Sequence, residues 1–477
     1  MKNIIVKVNT EKITGKIKKL NGGNMAPPLY GEEVGMNLRD SYQALNLAVA
    51  RIHDAPWDNP NTKIGDVYMI FANFHADADD PRNYFFEQTD DYLRNCIEGG
   101  TPVFYQLGST IEHSIKHYFI NPPTDTKKWI DICAHIIRHY TQGWANGFHF
   151  DVKYWEIWNE PEGETTWGGG QEEFLQFYAE VATELKKQFP ELKFGGPAHC
   201  GYADSITPVF INYCAEHHVP LDFYSYHQYI GEPFGWIQES PAIVRKQLDA
   251  AGFRNAEIFL DEWHYIPDVE SWSGAPQKEE DVWDGELPLG LKLKDLNVGT
   301  WKRMRCDEES AYEEKLEIEK FMKGMDSAAF LCAVMSGWQD TPVDMGAYYS
   351  CTATRNWGIY QTGTNVRTKV WFGLYAFGEI VRYSERLEAE TLSKESTVLA
   401  GDDGAGNSAV LVTLFKTGEA KLEIEFAGKV NIESVSMLDD KHNLAEYPFR
   451  FDNGKLELQS NSSSAVALVK FTREKKC

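Results

Sequence analysis

The sequence lacks the features that mark several classes of protein. Basic residues are few, since 47 Lys and Arg stand against 71 Asp and Glu in 477 residues, for a net charge of −24. An acidic surface repels phosphate backbones and anionic lipid headgroups, which argues against nucleic acid and membranes as partners. Long apolar runs are also missing, because the longest strongly apolar stretch, 327–338, is too short to span a bilayer.

The cysteines form no recognisable framework. None of the eight lies in a C-x-x-C pair or at a short repeated spacing, so we expect free thiols in a reducing compartment. The first 19 residues hold only a three-residue apolar run between charged residues, which predicts no signal peptide. We therefore expect a cytoplasmic protein, with a homo-oligomer left open.

No metal site is expected. His113 and His117, like His135 and His139, share the i, i+4 spacing that places two ligands on one helix face. Neither pair has the glutamate of an H-E-x-x-H motif or an evident third ligand, so we interpret these histidines as packed or solvated helix residues.

Three zones of pattern divide the chain. Residues 1–19 alternate apolar and charged positions, which predicts one or two short strands. Residues 20–384 cycle between short apolar runs and longer amphipathic runs. Residues 385–477 repeat strand and turn, with Gly and Asp or Asn at the turns. We predict an all-β sandwich domain at 385–477, with the N-terminal strand at 1–19 pairing with it.

The middle zone predicts an α/β fold in which eight strands alternate with helices. The candidate strands are 19–25, 47–53, 101–108, 152–158, 192–198, 221–227, 256–263 and 328–338. The helix-like segments include 171–189, 241–252 and 313–325. Alternation requires parallel strands joined by crossovers, and eight such units close into a (β/α)8 TIM barrel. The first strand–helix turn has no G-x-G-x-x-G, which argues against a dinucleotide-binding sheet. No cofactor is expected.

Functional residues of such a barrel project from the C-terminal ends of its strands. Here those ends carry polar groups, and all but the first include tryptophan or tyrosine: RIHD (51–54), WNEP (158–161), YHQY (226–229), DEWH (261–264) and GWQD (337–340). Aromatic faces stack on the C–H surfaces of a sugar, while amides and carboxylates hold its hydroxyls. The pattern is typical of a carbohydrate site.

Two glutamates at strand ends are the sharpest feature. Glu160 ends the fourth predicted strand and Glu262 the seventh, so their strands lie on opposing sides of the barrel mouth. Glycoside cleavage needs one carboxyl group to protonate the leaving oxygen and a second to meet the developing oxocarbenium ion. The alternatives are structural: Glu160 would cap a helix start before Pro161, or Glu262 would only pair with Arg51.

These segments resemble a known family. YWEIWNEP (154–161) resembles the acid/base signature of glycoside hydrolase clan A, and IFLDEWHY (258–265) resembles its strand-seven nucleophile segment. Within the clan, ARIHD (50–54) and DFYSYHQY (222–229) most resemble family 39, the family of β-xylosidases and α-L-iduronidase. The resemblance covers residues 20–384 and, loosely, the tail, because that family carries a β-sandwich after its barrel.

The resemblance implies an O-glycosyl hydrolase that cleaves terminal bonds of an oligosaccharide or other glycoside, a β-xyloside or a related one, with retention of configuration. It makes Glu160 the general acid/base and Glu262 the nucleophile. Arg51 would lie behind the nucleophile and lower its pKa by charge.

The resemblance also implies a substrate-binding set. Asn159 would hold the sugar 2-hydroxyl, and His53 would bind a hydroxyl of the nonreducing sugar. His227 would line the same subsite, Tyr229 would orient Glu262, and Trp338 would form the floor of the site after strand eight.

The segment that follows the predicted nucleophile strand is longer than an ordinary barrel loop. It runs from 266 to about 305, a length typical of a lid, a subsite wall or an oligomer contact. The sugar, its anomer and exo against endo action therefore stay open. Two other functions also stay open: a non-catalytic carbohydrate-binding protein on the same barrel, and a transglycosidase or phosphorylase that uses the same carboxylates.

Overall fold

The computed structural model describes residues 2–25, 38–53, 55–56, 63–111, 117, 119–163, 165–267, 320–353, 357–361 and 364–473. The first strands are β1 (Lys2–Lys16), β2 (Gly22–Asn24), β3 (Ala50–Ile52), β4 (Ala55–Pro56), β5 (Lys63–Ile64), β6 (Val103–Leu107), β7 (Tyr154–Ile157), β8 (Lys193–His199), β9 (Phe223–Ile230), β10 (Glu257–Tyr265) and β11 (Met345–Tyr348). The α-helices in these ranges are α1 (Arg39–Ala44), α2 (Val67–Ile70), α3 (Glu87–Glu98), α4 (Thr126–Gln142), α5 (Gln171–Gln188), α6 (Thr207–Glu216), α7 (Trp236–Ala250), α8 (Met325–Gly337) and α9 (Lys369–Ile380).

Eight parallel strands close into the predicted barrel, in the order β10-β11-β2-β3-β6-β7-β8-β9, with β9 paired to β10. The strands have almost no exposed residues, because one face meets the barrel interior and the other meets helices. Near the strand starts, the rings of Phe104, Phe223 and Phe259 fill the interior, with centroids 4.6 to 5.6 Å apart. This apolar layer closes the N-terminal end and leaves the polar side chains at the other end.

The prediction of a strand at 328–338 is wrong. Those residues belong to α8 and to a short 3-10 helix, Trp338–Asp340, and the eighth barrel strand is β11. The run is apolar on every side because α8 lies between the barrel strand β10 and the C-terminal sheet and is buried by both. A continuous apolar run has no period that separates a buried helix from a buried strand.

Trp338 therefore precedes the eighth strand and does not follow it. Its indole Nε1 donates to the carbonyl oxygen of Ile237 at 2.9 Å. That carbonyl lies four residues before Pro241, which has no N–H to donate inside α7. Trp338 also packs against Trp263, with ring centroids 4.9 Å apart. Its role is to satisfy a backbone acceptor that Pro241 leaves open and to join α7 to the barrel wall.

Strand β1 and the C-terminal strands form one ten-stranded, mostly antiparallel sheet. Its further members are β12 (Glu385–Thr391), β13 (Ser396–Asp402), β14 (Asn407–Leu414), β15 (Ala420–Ala427), β16 (Val430–Leu438), β17 (Asn443–Glu446), β18 (Arg450–Asp452), β19 (Lys455–Ser460) and β20 (Ala465–Arg473). The strand order is β17-β16-β20-β14-β13-β12-β1-β15-β19-β18.

This sheet curls over its own core. Phe426 of β15 and Phe471 of β20 are far apart in the strand order, yet their ring centroids lie 5.0 Å apart. Strand β15 alternates buried and half-buried residues, as a strand with one face on a core does. The predicted all-β C-terminal unit is confirmed. Strand β1 pairs antiparallel with β12 and parallel with β15.

The described residues also bear on the cysteines and on membrane-spanning helices. Six cysteines lie within them and all six are free. Among the described helices, none combines the length and the apolarity that a membrane crossing requires. Residues 268–305 of the long segment and residues 313–319 of the helix predicted at 313–325 lie outside the described residues.

Candidate active site

The C-terminal ends of four barrel strands bring charged side chains together. Arg51 comes from β3, Glu160 follows β7, His227 belongs to β9 and Glu262 to β10. Glu160 has a left-handed backbone, with φ at 45°. A non-glycine residue in that region stores strain, which clusters at functional sites. Its N–H donates to the carbonyl of Ala198 on the next strand, at 3.0 Å, which holds the turn in place.

Glu262 is fixed by two donors. Arg51 Nη1 donates to its Oε1 at 2.8 Å, and the Tyr229 hydroxyl donates to its Oε2 at 2.6 Å. Nε2 of His53 lies 3.4 Å from Oε1. The carboxylate is therefore oriented, with its side chain only 6% exposed. Burial raises the pKa of Glu262 above its ordinary value, while the neighbouring His227 and the guanidinium charge of Arg51 oppose that shift.

Glu160 is held less tightly and lies nearer to solvent. Its side chain is 14% exposed, and its Oε1 lies 2.7 Å from Nδ1 of His227. The same Nδ1 is 3.5 Å from Oε2 of Glu262. Burial lowers the pKa of His227 to about 4, so the imidazole is neutral at neutral pH. A neutral imidazole can accept a hydrogen bond from a protonated Glu160 or donate one to an ionised Glu160, depending on its tautomer.

Asn159 has an amide group directed to the site. Its Oδ1 accepts a hydrogen bond from Arg51 Nη2 at 2.8 Å, which fixes the amide orientation. Its Nδ2 is buried and has no hydrogen-bond partner among the described residues. A buried donor without a partner is costly, and a substrate hydroxyl would satisfy it.

The aromatic residue that follows strand eight is Trp357, which the sequence analysis missed. Its ring lies 5.4 Å from that of Tyr229 and 5.3 Å from that of His264. Nδ1 of His264 faces the carbonyl of Tyr265 at 2.9 Å and therefore carries the proton, so Nε2 accepts from the hydroxyl of Tyr348 at 2.7 Å. Burial lowers the pKa of His264 to about 3.

Trp338, which was expected after strand eight where Trp357 lies, does not belong to this group of residues. Had the eighth strand been predicted at 345–348, Trp357 would have been the candidate.

Glu156 and Asp261 were missed as well. Both carboxyl groups are fully buried and contact Arg51. The available signal was an acidic residue inside an otherwise apolar strand, which is rare unless the charge is paired.

One group in the described residues has the spacing of a metal site. Ligand atoms of Glu160, His227 and Glu262 all lie within 4.8 Å of one another. The guanidinium of Arg51 already contacts Glu262, and it opposes a second cation there. We therefore interpret the three residues as an acid–base set and not as metal ligands.

Sequence comparison relates the chain to two curated proteins. The chain is 34% identical over 134 residues to a β-xylosidase from Geobacillus stearothermophilus, covering 28% of this chain and 24% of that protein. It is 28% identical over 239 residues to a β-xylosidase from Caldicellulosiruptor saccharolyticus, covering 47% and 46%. The matches thus span less than half the length of these curated relatives.

Structural comparison extends over the whole chain. A glucosidase from Croceicoccus marinus has the same fold, with a TM-score of 0.72 at 20% identity over 99% of this chain and all of that one. The model for glycosyl hydrolases family 39 matches residues 6–256, more than half of the sequence. The chain therefore belongs to family 39 of the glycosyl hydrolases.

Proposed function

We propose that the protein is a retaining glycoside hydrolase that cleaves terminal bonds of a β-xyloside or a related glycoside. The observation that carries the proposal is the pair Glu160 and Glu262. An oxygen of each lies within 4.8 Å of the other, at one end of the barrel, on strands from opposing sides. One carboxyl is partly exposed to solvent, and the other is fixed by Arg51 and Tyr229.

The environments of the two carboxyl groups support different roles. Glu262, oriented by two donors, attacks the anomeric carbon and forms a covalent glycosyl ester. Glu160 protonates the departing oxygen in that step and then takes a proton from the water that releases the sugar. The short distance supports retention, because inverting enzymes separate the carboxyl groups further to leave room for water.

Three other residues have roles that fit a sugar bound at this pair. Asn159 Nδ2 donates to the hydroxyl beside the anomeric carbon. The face of Trp357 serves as the platform under the sugar ring, in place of Trp338. His53, beside Glu262, binds a further hydroxyl.

The substrate class comes from the relatives, which are named as β-xylosidases. We propose short xylosides or related oligosaccharides that reach a cytoplasmic enzyme after import. Secreted protein in the culture medium would refute the cytoplasmic location.

A panel of aryl glycosides tests the proposal. It covers both anomers of xylose, arabinose, glucose, galactose, fucose and glucuronic acid, and we expect turnover of a β-xyloside or a closely related member. Calorimetric binding of a sugar without any hydrolysis would contradict the proposal and favour a carbohydrate-binding protein. Transfer to added alcohols that outruns hydrolysis would favour a transglycosidase.

The variant Glu160→Ala tests the acid/base role. We expect kcat/KM to fall by about 10²- to 10⁴-fold for glycosides with poor leaving groups, and far less for dinitrophenyl glycosides, which need no protonation. Added azide should restore turnover and yield a glycosyl azide of retained configuration. The exposed Glu446 on β17 provides the control, since Glu446→Ala should match the wild type. An equal loss for good and poor leaving groups would contradict the acid role.

The variant Tyr229→Phe tests how Glu262 is held. Removing the 2.6 Å hydrogen bond while keeping the ring should lower kcat/KM by about 10- to 100-fold, because a bond to a charged group contributes about 1.5 to 3 kcal/mol. Steady-state kinetics on the aryl glycoside measures the change. An unchanged kcat/KM would show that Arg51 alone orients the carboxylate.

A further inference from the structure

Beneath the catalytic pair lies a second pair of carboxyl groups that the proposed reaction does not use. Arg51 contacts Glu156 at 2.6 Å, Asp261 at 3.1 Å and Glu262 at 2.8 Å. The side chains of Arg51, Glu156 and Asp261 are completely buried. One cation thus faces three acids, and a buried cluster cannot hold that many uncompensated negative charges.

A bulge in β10 brings the third acid into this cluster. Consecutive residues of a strand point to opposite faces, so Asp261 and Glu262 should not both reach the same guanidinium. The pairing of β10 with β9 shifts register between Leu260 and Glu262, which leaves Asp261 as an extra residue and turns both carboxyl groups inward. Nδ2 of Asn24 holds the bulge by donating to the carbonyl of Asp261 at 2.6 Å.

Hydrogen-bond donors are distributed unequally between Glu156 and Asp261. Glu156 Oε2 accepts from Arg51 Nε and Nη2 at 2.8 and 2.6 Å, and its Oε1 accepts from the hydroxyl of Ser225 at 2.6 Å. Neither oxygen of Asp261 has a hydrogen-bond donor among the described residues. Glu156 is therefore satisfied as an anion, whereas an ionised Asp261 would be a buried anion that Arg51 Nε approaches to 3.1 Å without forming a hydrogen bond.

Four charged or titratable groups face Asp261. They are Arg51 from β3, Glu156 from β7, Glu262 from β10 itself, and His227 from β9, whose Nε2 lies 3.8 Å from Oδ1. That Nε2 also lacks a hydrogen-bond partner among the described residues. Burial and the negative charge of Glu156 raise the pKa of Asp261 well above its ordinary value, and Arg51 only partly opposes them.

We propose that Asp261 is a neutral carboxylic acid that keeps its proton and donates a hydrogen bond to Glu156, and that this neutrality lets Glu262 remain ionised as the nucleophile. Asp261 is then a positioning residue that acts on Glu262 through the charge of the cluster. With Asp261 neutral, Arg51 balances one of two anions. With Asp261 ionised, a third anion would raise the pKa of Glu262 and reduce its ionised fraction.

Difference infrared spectroscopy tests the protonation state without any turnover. We expect the wild-type protein at neutral pH to show the carbonyl stretch of a protonated carboxylic acid, and Asp261→Asn to remove one such band. Asp452→Asn, at an exposed position on β18, serves as the control and should leave the band in place. A band that Asp261→Asn does not reduce would overturn the proposal.

The variant Glu156→Gln tests the hydrogen bond between Asp261 and Glu156. It also keeps the proposal testable if Asp261→Asn does not fold. Without the Glu156 anion that accepts its hydrogen bond, Asp261 becomes the partner of Arg51 and ionises, so the band should disappear although Asp261 is intact. Persistence of the band in Glu156→Gln would contradict this hydrogen bond.

Kinetics supplies a second readout, which rests on the proposed function. A neutral Asp261 predicts that the acidic limb of the kcat/KM profile in Asp261→Asn lies within about 0.3 pH unit of the wild type. An ionised Asp261 predicts instead that this limb moves about one unit or more to lower pH, because a buried like charge has been removed. A wild type that hydrolyses nothing would refute the proposed function while the infrared result still decides the state of Asp261.

Discussion

Glu262→Ala should lower kcat/KM for an activated aryl glycoside by about four orders of magnitude or more, with the fold intact. The nucleophile supplies the covalent step, and removing a group that reacts directly costs far more than removing one that orients it. Steady-state kinetics beside the wild type measures the loss, and Glu446→Ala again provides the matched control. A rate within tenfold of the wild type would exclude Glu262 as the nucleophile.

Rescue of the same variant separates its role from that of Glu160. Azide should restore turnover of Glu262→Ala by attacking from the vacated side, which yields a glycosyl azide of inverted configuration. Glu160→Ala yields the retained product. An identical product from both variants would contradict the assignment of one nucleophile and one acid/base.

Arg51→Met should reduce the free energy of unfolding by about 3 to 5 kcal/mol. The guanidinium is the cation of a buried cluster, and deleting one partner leaves buried anions without compensation. Urea unfolding at constant pH measures the change as a lower midpoint with an unchanged slope. The matched control is Arg94→Met, because the Arg94–Asp91 pair lies on the surface at 3.2 Å, and its loss should change stability by less than about 1 kcal/mol.

The pH dependence of Arg51→Met follows from the remaining acids. Burial already raises the pKa of Glu262 and of Asp261, and losing Arg51 raises both further. A folded-state pKa above the unfolded value means that the native state binds more protons, so stability falls as pH rises. The deficit relative to the wild type should therefore be larger near pH 8 than near pH 5.5. A deficit that is constant over this range would show that the loss comes from packing alone.

The structure brings together the residues that were predicted at strand ends. Their prediction was possible because the end of a strand can be recognised from the residues next to it. Glu160 and Glu262 each follow a short apolar run and stand beside tryptophan. Once eight strands are parallel, their C-terminal ends meet at one rim, whatever the exact strand bounds. Small errors in those bounds did not move either glutamate away from the rim.

The prediction that Trp338 follows strand eight was wrong for a non-local reason. Its segment is uniformly apolar because a distant part of the chain, the C-terminal sheet, covers α8 on the side away from the barrel. A window of eleven residues does not contain that information. The same error hid Trp357, since the eighth strand was placed too early in the chain.

The barrel, the all-β C-terminal unit and the family could be predicted from the sequence alone, because hydrophobic periodicity and strand-end motifs are contained in short segments. Contacts in the folded structure were needed to place Trp357 beside Tyr229, to identify the acids that share the guanidinium of Arg51, and to show that Asp261 faces inward. Each of these depends on strand register, on a bulge or on packing between distant segments. Such features arise from contacts that form only when the chain has folded.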